Sequence, residues 1–375
     1  KLANDIYLND NYTNYANWDT AAPANKWMAN DGSKDFNGTI DGDGHTIYGI
    51  YQDGSAGETT TAGLIPDVVG EAEITNLHIR DSICYGKCAG GIVGVVMHEN
   101  SKLTIDKCTV TNTVVRGWGS STRVAGLVGG AYADSGKHNY VDISNSAVTN
   151  VKLMGGSGYH SGILGLCTDM ASGDYSVKNC FTGENLHPVT YATSSSNVTK
   201  FAKNTKYENV YTASPKTSSG GTEITYEGVT HLSADQMKGD AAKTNMPNLD
   251  WTIWKVMEND YPSITGKVNV VTPPSQPENP GDDDDDDQPT TTGDYVAATQ
   301  FAGGKGTPND PYLISNASEL YYLVSEVSKA NNADFTKNKF FGLIVGIIFT
   351  GIVQSSSACT VMVVSFVNSG LMTLY

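Results

Sequence analysis

Asp41, Asp43 and His45 form a dense group of proton-handling side chains, carried by the run Phe36-Asn-Gly-Thr-Ile-Asp-Gly-Asp-Gly-His-Thr-Ile47. Clustered carboxylates can cleave glycosidic bonds, one carboxyl serving as acid and another as base or nucleophile. The intervening glycines favour a plainer use. Asp and Gly both accept left-handed backbone, so Asp41-Gly-Asp-Gly44 reads as a tight turn between two short strands. No repeat-equivalent position supplies a second carboxylate for one face, and no catalytic residue is assigned. The seven histidines are scattered, which excludes an HExxH zinc helix. Cys84 and Cys88 lack a second cysteine pair at zinc-ribbon distance, so no metal or cofactor is expected, while a disulfide between them stays open. Neither a Gly-x-Ser-x-Gly elbow nor a phosphate-cradling Walker loop occurs.

The elements that would hold such groups follow from composition. The chain has 375 residues, 40 acidic against 24 basic, and a formal net charge of −16. With no basic stripe to displace counterions from phosphates, nucleic acid is excluded as a partner. It opens at Lys1 without Met or a charged leader, which reads as a cut point in a longer protein. Four changes of texture divide it. Residues 1–190 are rich in Gly, Thr, Val and Ile. Residues 191–271 are more mixed and read as the end or cap of the same body. Residues 272–300 hold a Pro-rich run and the tract Asp282 to Asp287, a stretch expected to stay disordered. That tract lacks the spaced ligands of a calcium loop and reads as a solvated spacer. Residues 301–338 open a new globular unit, and 339–375 turn strongly apolar.

A repeat governs the first region. Gly63-Leu-Ile65, Gly91-Ile-Val-Gly94, Gly126-Leu-Val-Gly129 and Gly162-Ile-Leu-Gly165 recur at spacings of 28, 35 and 36 residues. After each comes a second anchor: Ile74-Thr-Asn76, Ile105-Asp-Lys-Cys108, Ile143-Ser-Asn-Ser146 and Val177-Lys-Asn-Cys180. The runs are short, β-branched and alternating, hence strands. One block cannot bury its apolar side alone and must stack on its neighbours, with equivalent strands about 4.8 Å apart. The fold class is therefore mainly β, a right-handed parallel β-helix or solenoid. Gly63, Gly91, Gly94, Gly126, Gly129, Gly162 and Gly165 fall at corners that need positive φ or close passage of the next coil. Cys108 and Cys180 share one place in their repeats with Ser146 and read as small buried ladder residues.

The run from Phe36 to Ile47, followed by Gly-Leu-Ile and Gly-Gly-Ile-Val-Gly, resembles the GLUG-motif modules of bacterial cell-surface proteins, whose entry strand Leu2-Ala-Asn-Asp-Ile6 also matches. The similarity extends to about residue 265, where Trp251-Thr-Ile-Trp254 and Tyr261-Pro262 resemble a closing strand. The resemblance implies an extracellular, non-enzymatic role in display, adhesion or contact with a glycan or host-surface ligand. Tyr7, Tyr12, Tyr15, Trp18 and Trp27 suit either sugar stacking or an aromatic cap over the open solenoid end, and the cap is the stronger expectation. A carbohydrate-active β-helix enzyme is the remaining alternative within this fold.

Phe301-Ala-Gly-Gly-Lys-Gly-Thr-Pro-Asn-Asp-Pro-Tyr-Leu-Ile314 resembles the start of a second such module. The helix that follows is capped by Ser315 or Asn316, with Leu320, Leu323, Val324 and Val327 on one side. The last 36 residues, Phe340 to Tyr375, contain no Asp, Glu, Lys or Arg. That exceeds the roughly 20 residues of one membrane crossing and suits a hairpin-like helical pair. This tail resembles the sodium/phosphate cotransporter family, whose Gln-Ser-Ser-Ser signature stands at Gln354, Ser355, Ser356 and Ser357. The resemblance implies binding of sodium and phosphate there, through hydroxyls and freed backbone groups, within a complete two-copy transporter. The chain thus reads as chimeric, with two unrelated architectures meeting near Asn338.

Overall fold

The computed structural model describes residues 1–27, 35–53, 61–119, 122–131, 138–155, 158–166, 173–189, 191–192, 205–214, 218–219, 222–223, 226–264, 293–294, 298–307 and 309–327. Its body is a β-solenoid of about four turns. One sheet has eight strands, all parallel to their neighbours: Ile6–Tyr7, Thr46–Tyr48, His78–Gly86, Thr109–Gly117, Ala147–Met154, Phe181–Thr182, Val210–Thr212 and Val229–His231. A nine-stranded second sheet is organised around the long strand Ile65–Thr75. The first part of that strand pairs with Val93–Val96 and its last part with Lys102–Asp106, so it belongs to two successive walls of the coil. A third sheet of five strands carries Thr61–Ala62, Cys88–Gly90, Thr122–Ala125 and Gly158–Ser161, and ends on an antiparallel partner, Tyr191–Ala192.

In-register pairing makes the core a set of side-chain columns. Ile40, Ile74, Ile105, Ile143 and Val177 are successive partners in one column. Ile6, Ile47, Ile79, Val110 and Val148 form another. All ten are buried, and each contributes roughly 1.5–3 kcal/mol by leaving water. Leu64, Ile92, Leu127 and Ile163 fill the corners, each fully buried.

The corner glycines are required by space. A methyl built on Gly91 would stand 2.6 Å from the Gly126 carbonyl oxygen and 2.7 Å from Val110 Cγ1. The second anchor of each repeat turns through a left-handed residue instead, at Asn76, Lys107, Asn145, Asn179 and Asn209. The asparagine amides among them link coil to coil: Asn145 Nδ2 donates to the Asp106 carboxylate Oδ1 at 2.7 Å, and Asn209 Nδ2 to Asn179 Oδ1 at 3.0 Å. Asn tolerates this backbone and satisfies its own side chain on the next coil.

The segment that the sequence presents as a second opening packs on the entry coil of the first. Leu2 and Ile314 form a parallel bridge, with Ile314 N–H donating to Lys1 O at 3.0 Å and Ala3 N–H to Ile314 O at 2.9 Å. The helix Ala317–Val327 adds Leu320, Leu323 and Val324 to the solenoid core. Asn316 Oδ1 accepts from Glu319 N–H, and Glu319 Oε2 from Ser315 N–H, a reciprocal cap. The Asp282 to Asp287 tract and the stretch from 328 to 375, which includes the expected membrane hairpin, lie outside the described residues. No helix among the described residues is long and apolar enough to cross a membrane.

Candidate functional site

Asp41 and Asp43 make a turn. Asp43 has φ 50° and donates its N–H to Asp41 Oδ1 at 2.8 Å, while Lys1 Nζ meets Asp43 Oδ1 at 3.0 Å. His45 faces elsewhere: its Nδ1 lies 3.3 Å from Asp5 Oδ1, which also accepts the Thr46 N–H at 2.9 Å. The three side chains are each engaged separately, with no carboxylate pair opposed across a cleft.

The aromatic group divides in two. Trp27 enters the end of the core, its Nε1 donating to Leu64 O at 3.0 Å. Tyr7, Tyr12 and Trp18 cover the outer face of the first sheet. Tyr7 stacks on Tyr48 at 4.9 Å between centroids, and Trp18 meets Tyr51 edge-on at 5.6 Å. Trp18 is 1% exposed and Trp27 2%, which leaves neither ring a free face for a sugar. At the far end the same sheet face is covered by Met237, Met246, Leu249, Trp254 and Tyr261, packed on Phe181 and Tyr211.

Cys84, Cys88, Cys108 and Cys180 are all free and buried, so Cys84 and Cys88 form no disulfide. Burial pushes the Cys84, Cys108 and Cys180 thiols up to about 12, far from the thiolate form that nucleophilic or metal chemistry requires. Cys108 and Ser146 are stacked in the expected column, with Cys108 N–H donating to Ser146 Oγ at 3.1 Å.

Two places on the described surface combine polar groups with access. The first is the outward side of Lys102–Asp106, Tyr140–Ser144 and Asp174–Lys178. There Glu71 and Lys102 pair at 3.1 Å, Ser176 Oγ donates to Asp142 Oδ1 at 2.6 Å, and Tyr140 is among the exposed large side chains. His138 lies beside it, ring to ring with Tyr140 at 4.7 Å and 3.3 Å from Asp174 Oδ2.

The second is a corner that reading by motif passed over. Asp35 and Asp67 are registered partners on adjacent strands, and His98 follows the next strand, Val93–Val96. One ligand-type atom from each lies within 4.8 Å of the other two. His98 Nε2 stands 3.6 Å from Asp67 Oδ2. Burial, then the neighbouring Asp35 carboxylate, pushes the Asp67 carboxyl up to about 7. A carboxylate pair does therefore recur at coil-equivalent positions, contrary to expectation. The signal available was the coil length itself, since the three residues stand roughly one turn apart in sequence.

Among known proteins, a family model described as Na+/Pi-cotransporter matches residues 317–375. No curated protein and no solved structure matches the chain. Within the matched part only the helix Ala317–Val327 is described, and it packs in the solenoid core. Gln354, Ser355, Ser356 and Ser357 lie outside the described residues.

Proposed function

We propose that this chain is a non-enzymatic bacterial surface protein whose solenoid displays one long flank, outside the cell, to a glycan or other cell-surface ligand. One observation carries the reading: the flank around Tyr140. The outer face of the first sheet, by contrast, is roofed at both ends by the two aromatic clusters. The flank keeps Glu73, Lys102, Tyr140, Asp142, Asp174 and Lys206 exposed in successive coils. Equivalent positions there repeat about every 4.8 Å, a spacing that suits extended polymers, and an exposed tyrosine beside carboxylates suits sugar stacking and hydroxyl binding. The resemblance of residues 1–265 to GLUG-motif modules supports the cell-surface setting. A glycan array with the full chain tests it. Binding that Tyr140→Ala weakens at least about tenfold supports display; release of sugar fragments from the bound polysaccharide would instead mean an enzyme.

The family match at 317–375 favours a second reading, in which the C-terminal region is part of a sodium/phosphate cotransporter. Gln354 to Ser357 would then contact sodium and phosphate, and a membrane would hold residues 340–375. Sodium-dependent binding of phosphate by the full chain in lipid vesicles, abolished by Ser356→Ala, would support it. Equal binding with and without sodium would exclude it.

A further inference from the structure

We propose that Asp35, Asp67 and His98 form a binding site for one divalent transition-metal cation of the zinc type. Asp67 is 6% exposed, yet its Oδ1 has no hydrogen-bond partner among the described residues. A buried carboxylate oxygen without a donor costs about 1–3 kcal/mol unless something satisfies it. The Val68 N–H donates to the Asp67 carboxyl and His98 Nε2 approaches Oδ2 at 3.6 Å, outside good hydrogen-bond distance, which still leaves Oδ1 without a donor. Asp35 and Asp67, held side by side by strand register, add like-charge repulsion that a dication would remove.

The donor set selects the ion. Two carboxylates and one imidazole suit zinc and its neighbours, whereas calcium and magnesium favour all-oxygen sets with more ligands. Distances up to 4.8 Å between ligand atoms must shorten for three bonds of about 2.0–2.2 Å to meet at one ion. His98 can supply that movement: its side chain is 44% exposed and follows the end of its strand. Three protein ligands leave a fourth tetrahedral position for water or for an oxygen of a bound ligand. The site is separate from the flank around Tyr140, and either proposal can stand without the other.

The test is isothermal titration of the full chain with Zn2+ alone, comparing wild type with Asp67→Asn and His98→Gln. Asp282 to Asp287 are present in every arm, so their loose cation binding cancels. The expected result is one Zn2+ per chain that each variant loses or binds at least about tenfold more weakly. Both variants keep the solenoid's circular dichroism, because Asp67→Asn removes a buried charge and His98 lies at the surface. Excess Ca2+ is expected to leave the Zn2+ isotherm unchanged. Identical isotherms for the three proteins would overturn the site, and displacement of Zn2+ by Ca2+ would overturn the imidazole-selected ion.

Discussion

Arg116 grips Asp19 in a two-pronged pair, Nη1 to Oδ1 at 2.8 Å and Nη2 to Oδ2 at 2.5 Å, across 97 residues of sequence. The Arg116 guanidinium also lies 5.3 Å from the centre of the Tyr85 ring. This pair pins the aromatic segment around Trp18 to the third coil, far beyond its local neighbours.

Asp19→Asn should loosen that segment without unfolding the coils. The Asp19 side chain is 51% exposed, so screening limits the loss to about 0.5–1 kcal/mol. The Arg116 hydrogen bonds hold the Asp19 carboxyl below the usual range. Its contribution is present above the unfolded carboxylate value near 4 and disappears as pH falls through the folded value. Urea unfolding at pH 7 and pH 3 checks this: the gap between wild type and variant should shrink at the lower pH.

His187 should make the protein acid-sensitive in a higher window. It is buried and accepts the Val189 N–H on Nδ1 at 3.2 Å, and burial pushes its pKa down to about 4. An unfolded histidine titrates near 6.5. The neutral ring is therefore favoured in the folded state, and stability is full above 6.5 and falls as pH drops towards 4. The total loss is of order 3 kcal/mol. Melting temperature followed from pH 7.5 to 4 should fall less steeply in His187→Gln, and parallel slopes would refute the assignment.

Gly91 and Gly44 should differ sharply in what substitution costs. Gly44 has φ +80° with open space around its missing side chain, so Gly44→Asn should cost well under about 1 kcal/mol, Asn being at ease in that region. Gly91→Ala drives a methyl into the Gly126 carbonyl and Val110, neither of which is a free side-chain end. It should cost about 2 kcal/mol or more, read by thermal or urea unfolding.

The coil stack was legible because its signal repeats. Ile74, Ile105, Ile143 and Val177 are each a weak strand cue alone, but their recurrence beside Asn76, Asn145 and Asn179 fixes both the walls and the turns. Cys108 was readable from its alignment with Ser146 in the same way. The aromatic roof was only half legible: composition announces that Trp18 and Trp27 will be buried, but not that one enters the core and the other lies outside it. Asp35, Asp67 and His98 were missed because they come from a strand start, a strand bend and a loop, three contexts with no shared motif. Strand register alone brings them together.

The Leu2–Ile314 bridge has a mechanical meaning. Because the segment ending at Val327 is bonded to the first coil, traction applied beyond Val327 would meet the buried helix contacts of Leu320, Leu323 and Val324 first, and then the backbone bonds that join Tyr312 and Ile314 to Lys1 and Ala3. The coils at Val229–His231 would carry none of that load. Removing Ile314 together with that helix would bare the apolar entrance around Leu2 and Trp27, which Tyr321 meets edge-on, without breaking any pairing between the later coils.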